Sequence, residues 1–158
     1  MINSRSLDDL DDDTKAKAKA LMKIAEAEGV KILIYSTFRD RESQDSIYAQ
    51  GRTKPGKKVT QARGGSSFHQ YRVAFDFVPL GADGNPDWND RKKFEKVGAM
   101  ASKLGMFWGG NFQTFKDMPH VQNTHGLSLK QFQALYPDLE RPASEKSFLR
   151  KFDTVLKR

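Results

Sequence analysis

Two short runs of β-branched and aromatic residues, Ile32-Leu33-Ile34-Tyr35 and Val73-Ala74-Phe75-Asp76-Phe77, are set among longer stretches of helical period. That mixture of a two-residue and a 3.6-residue repeat confines the chain to an α+β class. In residues 14–28, Ala18, Leu21, Met22 and Ala25 fall at i, i+3, i+4 and i+7, and Gly29 stands where a helix C-terminal glycine belongs. A second helix is expected over 41–50, stopping at Gly51, and a third over about 90–104, with Phe94, Val97, Ala101 and Leu104 on one face and Gly105 at its end. Between them, Arg52 to Ser66 is rich in Lys, Gly, Pro and Thr and reads as a long exposed loop, and Gly81–Asp90 is dense in turn residues. Trp108-Gly109-Gly110 reads as a loop and His120–Gln122 as a further short strand. Two helices are expected to close the chain, the first opened by a capping box of Ser128 and Gln131, the last striped by Phe148, Leu149, Phe152, Val155 and Leu156.

At 158 residues the chain is sized for one domain, 1–158, and is too short to suggest a separate targeting module beside a catalytic one. The 27 basic against 20 acidic residues give a charge of +7, which suits anionic partners without choosing among them. There is no cysteine, so disulfides, thiolate metal sites and a cysteine nucleophile are excluded, and any metal must rest on histidine and carboxylate. No apolar run approaches a membrane span, and the N-terminal stretch MINSRSLDDLDDD is acidic where a secretory signal would be basic and then apolar. The expectation is a chain made in the cytosol without a signal peptide.

Of three histidines, two sit a short distance from an aspartate: His69 with Asp76, and His120 with Asp117. With His69 just before the second strand and Asp76 on it, both can face one cleft, and His120 can supply a third ligand to a divalent metal. Three protein ligands leave a fourth position for a water, which is what a catalytic zinc requires. Asp117, three residues before His120, is placed to take that water's proton without binding the metal. On spacing alone the rival reading, histidines hydrogen-bonded in a core, stays open. His125, in Asn123-Thr124-His125-Gly126, is read as structural or solvent-exposed.

The wording around these residues resembles the VanY-like zinc D-Ala-D-Ala carboxypeptidase and L-alanyl-D-glutamate endopeptidase family (peptidase family M15), which includes phage endolysins. The likeness runs over about residues 5–123. Its first metal motif matches Ser67-Phe68-His69-Gln70-Tyr71-Arg72-Val73-Ala74-Phe75-Asp76-Phe77, and its second matches Trp108-Gly109-Gly110 with Phe115-Lys116-Asp117-Met118-Pro119-His120. A third stretch, Ser36-Thr37-Phe38-Arg39 followed by Gln44, Tyr48, Gln50, Gly51 and Arg52, carries the family's arginine near the reacting carbonyl. The resemblance implies one zinc ion on His69, Asp76 and His120, Asp117 moving protons, and Arg39 stabilising developing negative charge. A surface salt bridge with Asp40 or Glu42 is the plainer reading of Arg39. Ser67, Gln44, Tyr48 and Trp108 are candidate substrate contacts, although Ser67 also suits a turn cap, Trp108 a core position, and Gln44 and Tyr48 an ordinary helix surface. The fold it implies is a small antiparallel sheet flanked by helices, with the metal in a cleft on the sheet.

Two departures from the family pattern bear on pocket shape: Arg72 stands where many relatives have glycine, and Val121 where they often have phenylalanine. Arg72 is expected to turn the backbone differently or to point to solvent or substrate. Aspartate rather than glutamate in Asp-Met-Pro-His leans toward an L-alanyl-D-glutamate endopeptidase, with a D-alanyl-D-alanine carboxypeptidase as the alternative. The implied partner is bacterial peptidoglycan, acted on by a monomeric phage endolysin held in the host cytoplasm until lysis and then reaching the cell wall. Basic residues, including those from Lys146 to Arg158, suit anionic envelope contacts, although that last helix can equally pack through its apolar face. A non-catalytic wall-binding protein is the rival class. No nucleic-acid partner is expected, since no recognition motif is found.

Overall fold

The computed structural model describes residues 1–137. The expected last helix with Phe148, Leu149, Phe152, Val155 and Leu156, and the basic stretch from Lys146 to Arg158, lie outside the described residues. Helix α1 (Asp12–Ala27) is capped by Asp11, whose side chain accepts from the Thr14 amide, and it buries Ala18, Leu21 and Ala25. Strand β1 (Ile32–Ser36) follows, then α2 (Arg41–Ala49), capped by Asp40. Strand β2 (Ala74–Pro79), helix α3 (Arg91–Lys103), the two-residue strand β3 (Phe107–Trp108), strand β4 (His120–Gln122) and helix α4 (Leu129–Leu135) complete the order. The capping box at Ser128 and Gln131 opens α4 as the sequence indicates. Trp108 departs from the loop expected of it: it pairs with Val121 in β3, and a 3-10 turn over Gly109–Asn111 follows.

The four strands form one antiparallel sheet in the order β1-β2-β4-β3. Strand β2 is buried along its whole length, as a central strand covered on both faces must be. Its two-residue period separates two jobs: Phe75 and Phe77 join the main core with α1 and α3, while Asp76 between them points to the opposite face. Each such fully buried ring contributes roughly 1.5–3 kcal/mol, and Phe77→Ala would cost about 3–5 kcal/mol. Helix α3 crosses close to the sheet because Gly98 has no side chain; a Cβ there would stand 2.1 Å from the Trp108 ring. A second cluster of Tyr71, Val73, Phe132 and Tyr136 fastens α4 over the turn that leads into β2.

Arg72, one of the two departures from the family pattern, is a structural clamp and not a solvent- or substrate-facing residue. It ends the 3-10 turn Phe68–Tyr71 in the left-handed region at φ 64°, where glycine is the easy choice. The strain is offset by what its side chain reaches: it is 1% exposed, covers the Phe38 ring at 4.0 Å and donates from Nη1 to the Asp9 carbonyl at 2.8 Å.

Candidate metal centre

The sheet brings the three expected ligands together by register. Asp76 on β2 is the direct antiparallel partner of His120 on β4 and faces Ser36 on β1. His69 arrives from the 3-10 turn just before β2, a turn opened by Ser67, whose side chain accepts from the His69 amide while Gln70 Oε1 accepts from the Ser67 amide. Asp76 Oδ1 lies 3.2 Å from His69 Nε2 and 3.4 Å from His120 Nδ1, and one ligand atom from each residue falls within 4.8 Å of the others. All three residues are buried.

Hydrogen bonds on the far side of each ring decide which nitrogen is free. His69 Nδ1 lies 2.7 Å from the Thr37 carbonyl, which can only accept, so the proton sits on Nδ1 and the Nε2 lone pair points at Asp76. His120 Nε2 donates to Gln122 Oε1 at 2.8 Å, leaving Nδ1 toward the same carboxylate. Two imidazole lone pairs and a carboxylate oxygen therefore converge on one point, an arrangement that repels itself unless a cation or proton lies between. Burial holds His69 below its usual pKa despite the charge of Asp76. At His120, burial is outweighed by the hydrogen bond and charge of Asp76, so its pKa rises. Burial alone would raise Asp76; positive charge on His69, and the protons that His120 and His69 present to the carboxylate when no other cation lies between them, outweigh it and hold the carboxyl well below the usual range. The residues fit a zinc ion with two nitrogen ligands and one oxygen ligand, and among the described residues this is the one group with that geometry.

Arg39 is not the surface salt bridge of its plainer reading. Buried behind the ligands, it donates from Nη2 to Asp76 Oδ2 at 3.2 Å and to Ser36 Oγ at 3.0 Å, and from Nη1 to Gln44 Oε1 at 3.0 Å. Its Nε alone has no hydrogen-bond partner among the described residues. Gln44 is completely buried, which removes it from the cleft surface where a substrate contact would be; its amide links Arg39 to the Ala62 carbonyl. Trp108 is also core, 7% exposed, with Nε1 donating to the Met118 carbonyl at 2.7 Å. It thereby braces the loop of the second motif from beneath. Ser67 acts as the turn cap, and Tyr48 is partly exposed, with the Arg52 guanidinium 3.8 Å and that of Arg63 5.1 Å from its ring.

Asp117 is exposed on the loop above the ligands. Its amide donates to the Gly109 carbonyl at 3.0 Å, and a Cβ on Gly109 would stand 2.3 Å from the Asp117 carbonyl, so only glycine lets this loop lie so close to His120. Surrounding protein and the negative charge of Asp76 raise the Asp117 pKa, against the pull of His120, His69 and Arg39. That is the electrostatic setting of a proton-transfer carboxylate.

Sequence reasoning missed Tyr35. The register of β1 slips between Ile34 and Ser36, a bulge that places Tyr35 beside the cleft, where burial and the charges of Asp76 and Asp117 raise its pKa and keep the phenol a donor. No one-residue slip can be read from Ile32-Leu33-Ile34-Tyr35 itself. The third histidine is structural, as expected, through a buried side-chain hydrogen bond: His125 Nε2 lies 2.6 Å from Asp11 Oδ2, tying the segment after β4 to the start of α1.

A buried two-histidine, one-aspartate cluster with a free carboxylate beside it, on an antiparallel sheet, defines a mononuclear zinc peptidase site. The family described as VanY, D-alanyl-D-alanine carboxypeptidase, matches residues 8–125, and the chain belongs to that family. It is 39% identical over 122 residues to the peptidoglycan L-alanyl-D-glutamate endopeptidase CwlK of Bacillus subtilis (strain 168), covering 72% of this chain and 73% of that one. It is 35% identical over 124 residues to an L-alanyl-D-glutamate peptidase of Listeria phage A118, covering 75% of this chain but 41% of the phage protein. The fold is also that of the Serratia marcescens L-Ala D-Glu endopeptidase ChiX, with a TM-score of 0.55, 22% identity and coverage of 83% and 92% of the two chains.

Proposed function

We propose that this chain is a zinc peptidoglycan peptidase that hydrolyses the L-alanyl-D-glutamate bond of stem peptides and serves as a phage endolysin. The observation that carries the reading is the convergence of His69 Nε2, His120 Nδ1 and Asp76 Oδ1 on one point beneath Asp117. Those three atoms would hold the zinc. Bound zinc supplies Lewis acidity to a peptide carbonyl and lowers the pKa of a water. Asp117 accepts the proton of the attacking water and delivers it to the departing amine, a task its raised pKa suits. Arg39 holds the second oxygen of Asp76, fixing the carboxylate's orientation, and its guanidinium charge behind the ligands favours negative charge developing at the site.

The relatives that act on the L-alanyl-D-glutamate bond support that choice of bond, as does aspartate at position 117. The likeness to a phage enzyme supports the endolysin role, and storage in the host cytoplasm until lysis with action at the cell wall afterwards is the rest of that reading. Five cations between Arg52 and Arg63 lie in the exposed loop and suit dwelling on an anionic wall. The second reading, D-alanyl-D-alanine carboxypeptidase, is favoured by the description of the matched family.

One digestion separates the two. Purified peptidoglycan is treated with wild type, Asp117→Ala and chelated enzyme, and the released amino groups are identified by mass spectrometry. New amino-terminal D-glutamate, lost in both controls and restored by zinc, is the expected result. Free D-alanine would favour the carboxypeptidase, and no release by folded, zinc-loaded wild type would overturn the peptidase reading.

A further inference from the structure

Beside the metal centre lies a pocket of about 370 Å³ to which the proposed chemistry assigns no role. One wall comes from the turn before α3 and from α3 itself, with Trp88, Asn89, Arg91 and Phe94; the other includes Lys116 and Met118. Lys116 and Met118 immediately flank Asp117 in the chain and Pro119 precedes the ligand His120, so the pocket is built on the same loop as the proton carrier. Trp88 is 54% exposed, a large ring left to solvent, and packs edge-on against Tyr35 with ring centroids 5.3 Å apart. Tyr35 in turn feels the charges of Asp76 and Asp117. The Tyr35–Trp88 ring pair thus stands between the charges of the site and the pocket.

The interior and rim differ in chemistry. Trp88, Phe94 and Met118 give an apolar interior, while Arg91 and Lys116 are exposed cations and no acidic side chain is among its lining residues. Arg91 is held by Glu95 at 2.9 Å, whereas Lys116 has no ion-pair partner among the described residues. A ligand that matches both parts has an aliphatic stem and a carboxylate. A volume of this size is within the range of small-ligand sites, about 300–1,000 Å³, and accommodates an amino-acid residue with its neighbour's backbone.

We propose that this pocket is the subsite for the carboxylate-bearing residue that follows the scissile bond in the stem peptide. Its methylenes lie against Trp88 and Met118, and its free carboxylate faces Lys116, with Asn89 as an amide partner and Arg91 supporting the local charge. The proposal rests on the peptidoglycan-peptidase reading. It makes Lys116 and Trp88 specificity-determining residues for a free over an amidated carboxyl group.

The test uses the zinc-loaded full chain and synthetic stem peptides whose carboxyl after the scissile bond is either free or amidated. Wild type is expected to favour the free acid by roughly tenfold in kcat/KM, mostly through KM, the size of one partly exposed charge-assisted contact. Lys116→Glu should erase or reverse that preference, and Trp88→Ala should raise KM for both peptides, with zinc content and Tm of each variant checked against wild type. Equal turnover of the two peptides by wild type, or a preference that survives Lys116→Glu, would overturn the subsite. A binding measurement separates this from failure of the peptidase reading: quenching of tryptophan fluorescence by the dipeptide γ-D-glutamyl-L-lysine, free or amidated. The same titration on Trp88→Phe, which keeps the buried Trp108, assigns the signal: quenching that depends on Trp88 is the expected result. If wild type cuts nothing yet the free dipeptide quenches and the amidated one does not, the pocket stands and the peptidase reading falls. If neither dipeptide quenches, the pocket falls whatever the enzyme cuts.

Discussion

The buried ligands around the turn and strand from Phe68 to Phe77 and the loop from Gly109 to Pro119 both contribute to the zinc site, but with very different support. In the first region His69 and Asp76 are buried, and their polar atoms are tied to Thr37, Arg39 and His120. In the second, Asp117 is exposed, the loop passes through a non-glycine residue of positive φ at Phe115, and Asp117 is steadied by its backbone contact with Gly109. Metal ligands have to be fixed before the metal arrives, because their mutual repulsion opposes assembly. A group that receives and gives up protons needs access to water and substrate instead. The two levels of support follow from those two demands.

The largest effect should come from removing a ligand on the buried side. His69→Ala or His120→Ala is expected to leave no zinc on the purified chain by elemental analysis and no detectable peptidase activity; retained zinc in either would break the assignment. Next is Arg39→Ala, which strands the buried Asp76 carboxylate and should cost about 3–5 kcal/mol in the metal-free protein. Thermal unfolding with and without zinc checks this, and the loss should shrink when zinc takes over the compensation of Asp76. Gln122→Leu removes the acceptor that orients His120 and should weaken zinc about 10–100-fold in a competition titration, with the fold intact. Smallest is Arg72→Gly: relief of the left-handed backbone returns about 1 kcal/mol, while the lost contacts with Phe38 and Asp9 cost more, for a net loss of about 1–3 kcal/mol by denaturant unfolding. Activity should be unchanged within about twofold, since Arg72 touches no ligand.

The same contrast explains what the sequence revealed. Metal ligands need particular residue types at fixed positions on regular elements, so His69, Asp76 and His120 could be read from spacing and local wording. The period-two placement of Asp76 between Phe75 and Phe77 even indicated the face. Arg39 was legible as a site residue, but its burial against Asp76 depends on the pairing of β1 with β2, which single-chain periodicity does not fix. Gln44 and Trp108 are candidate substrate contacts by resemblance, with a helix surface open for the first and a core position for the second; tertiary packing turns both inward, one behind Arg39 and the other against Gly98. Tyr35 depends on a bulge and the Trp88 pocket on two segments distant in sequence, and neither leaves a local pattern.

The pH dependence carries the comparison to Asp117. Its folded-state pKa is raised, so the protonated form is favoured by folding, and the associated stability is present at low pH and lost as pH rises through the folded pKa. Asp117→Asn should therefore match wild-type stability in acid and be no less stable at neutral pH. Catalysis runs the other way: the carboxylate must be ionised to accept a proton, so wild-type activity should fall on the acid side at a pH above the ordinary carboxylate range, moderated by the nearby positive charge when zinc is bound. The most direct measurement is zinc content and cleavage rate on the same preparation of Asp117→Asn. The expected result is one zinc per chain with kcat lowered about 10²–10⁴-fold. Zinc lost along with activity, or activity near wild type with zinc in place, would contradict the division between a buried metal floor and a separate proton carrier.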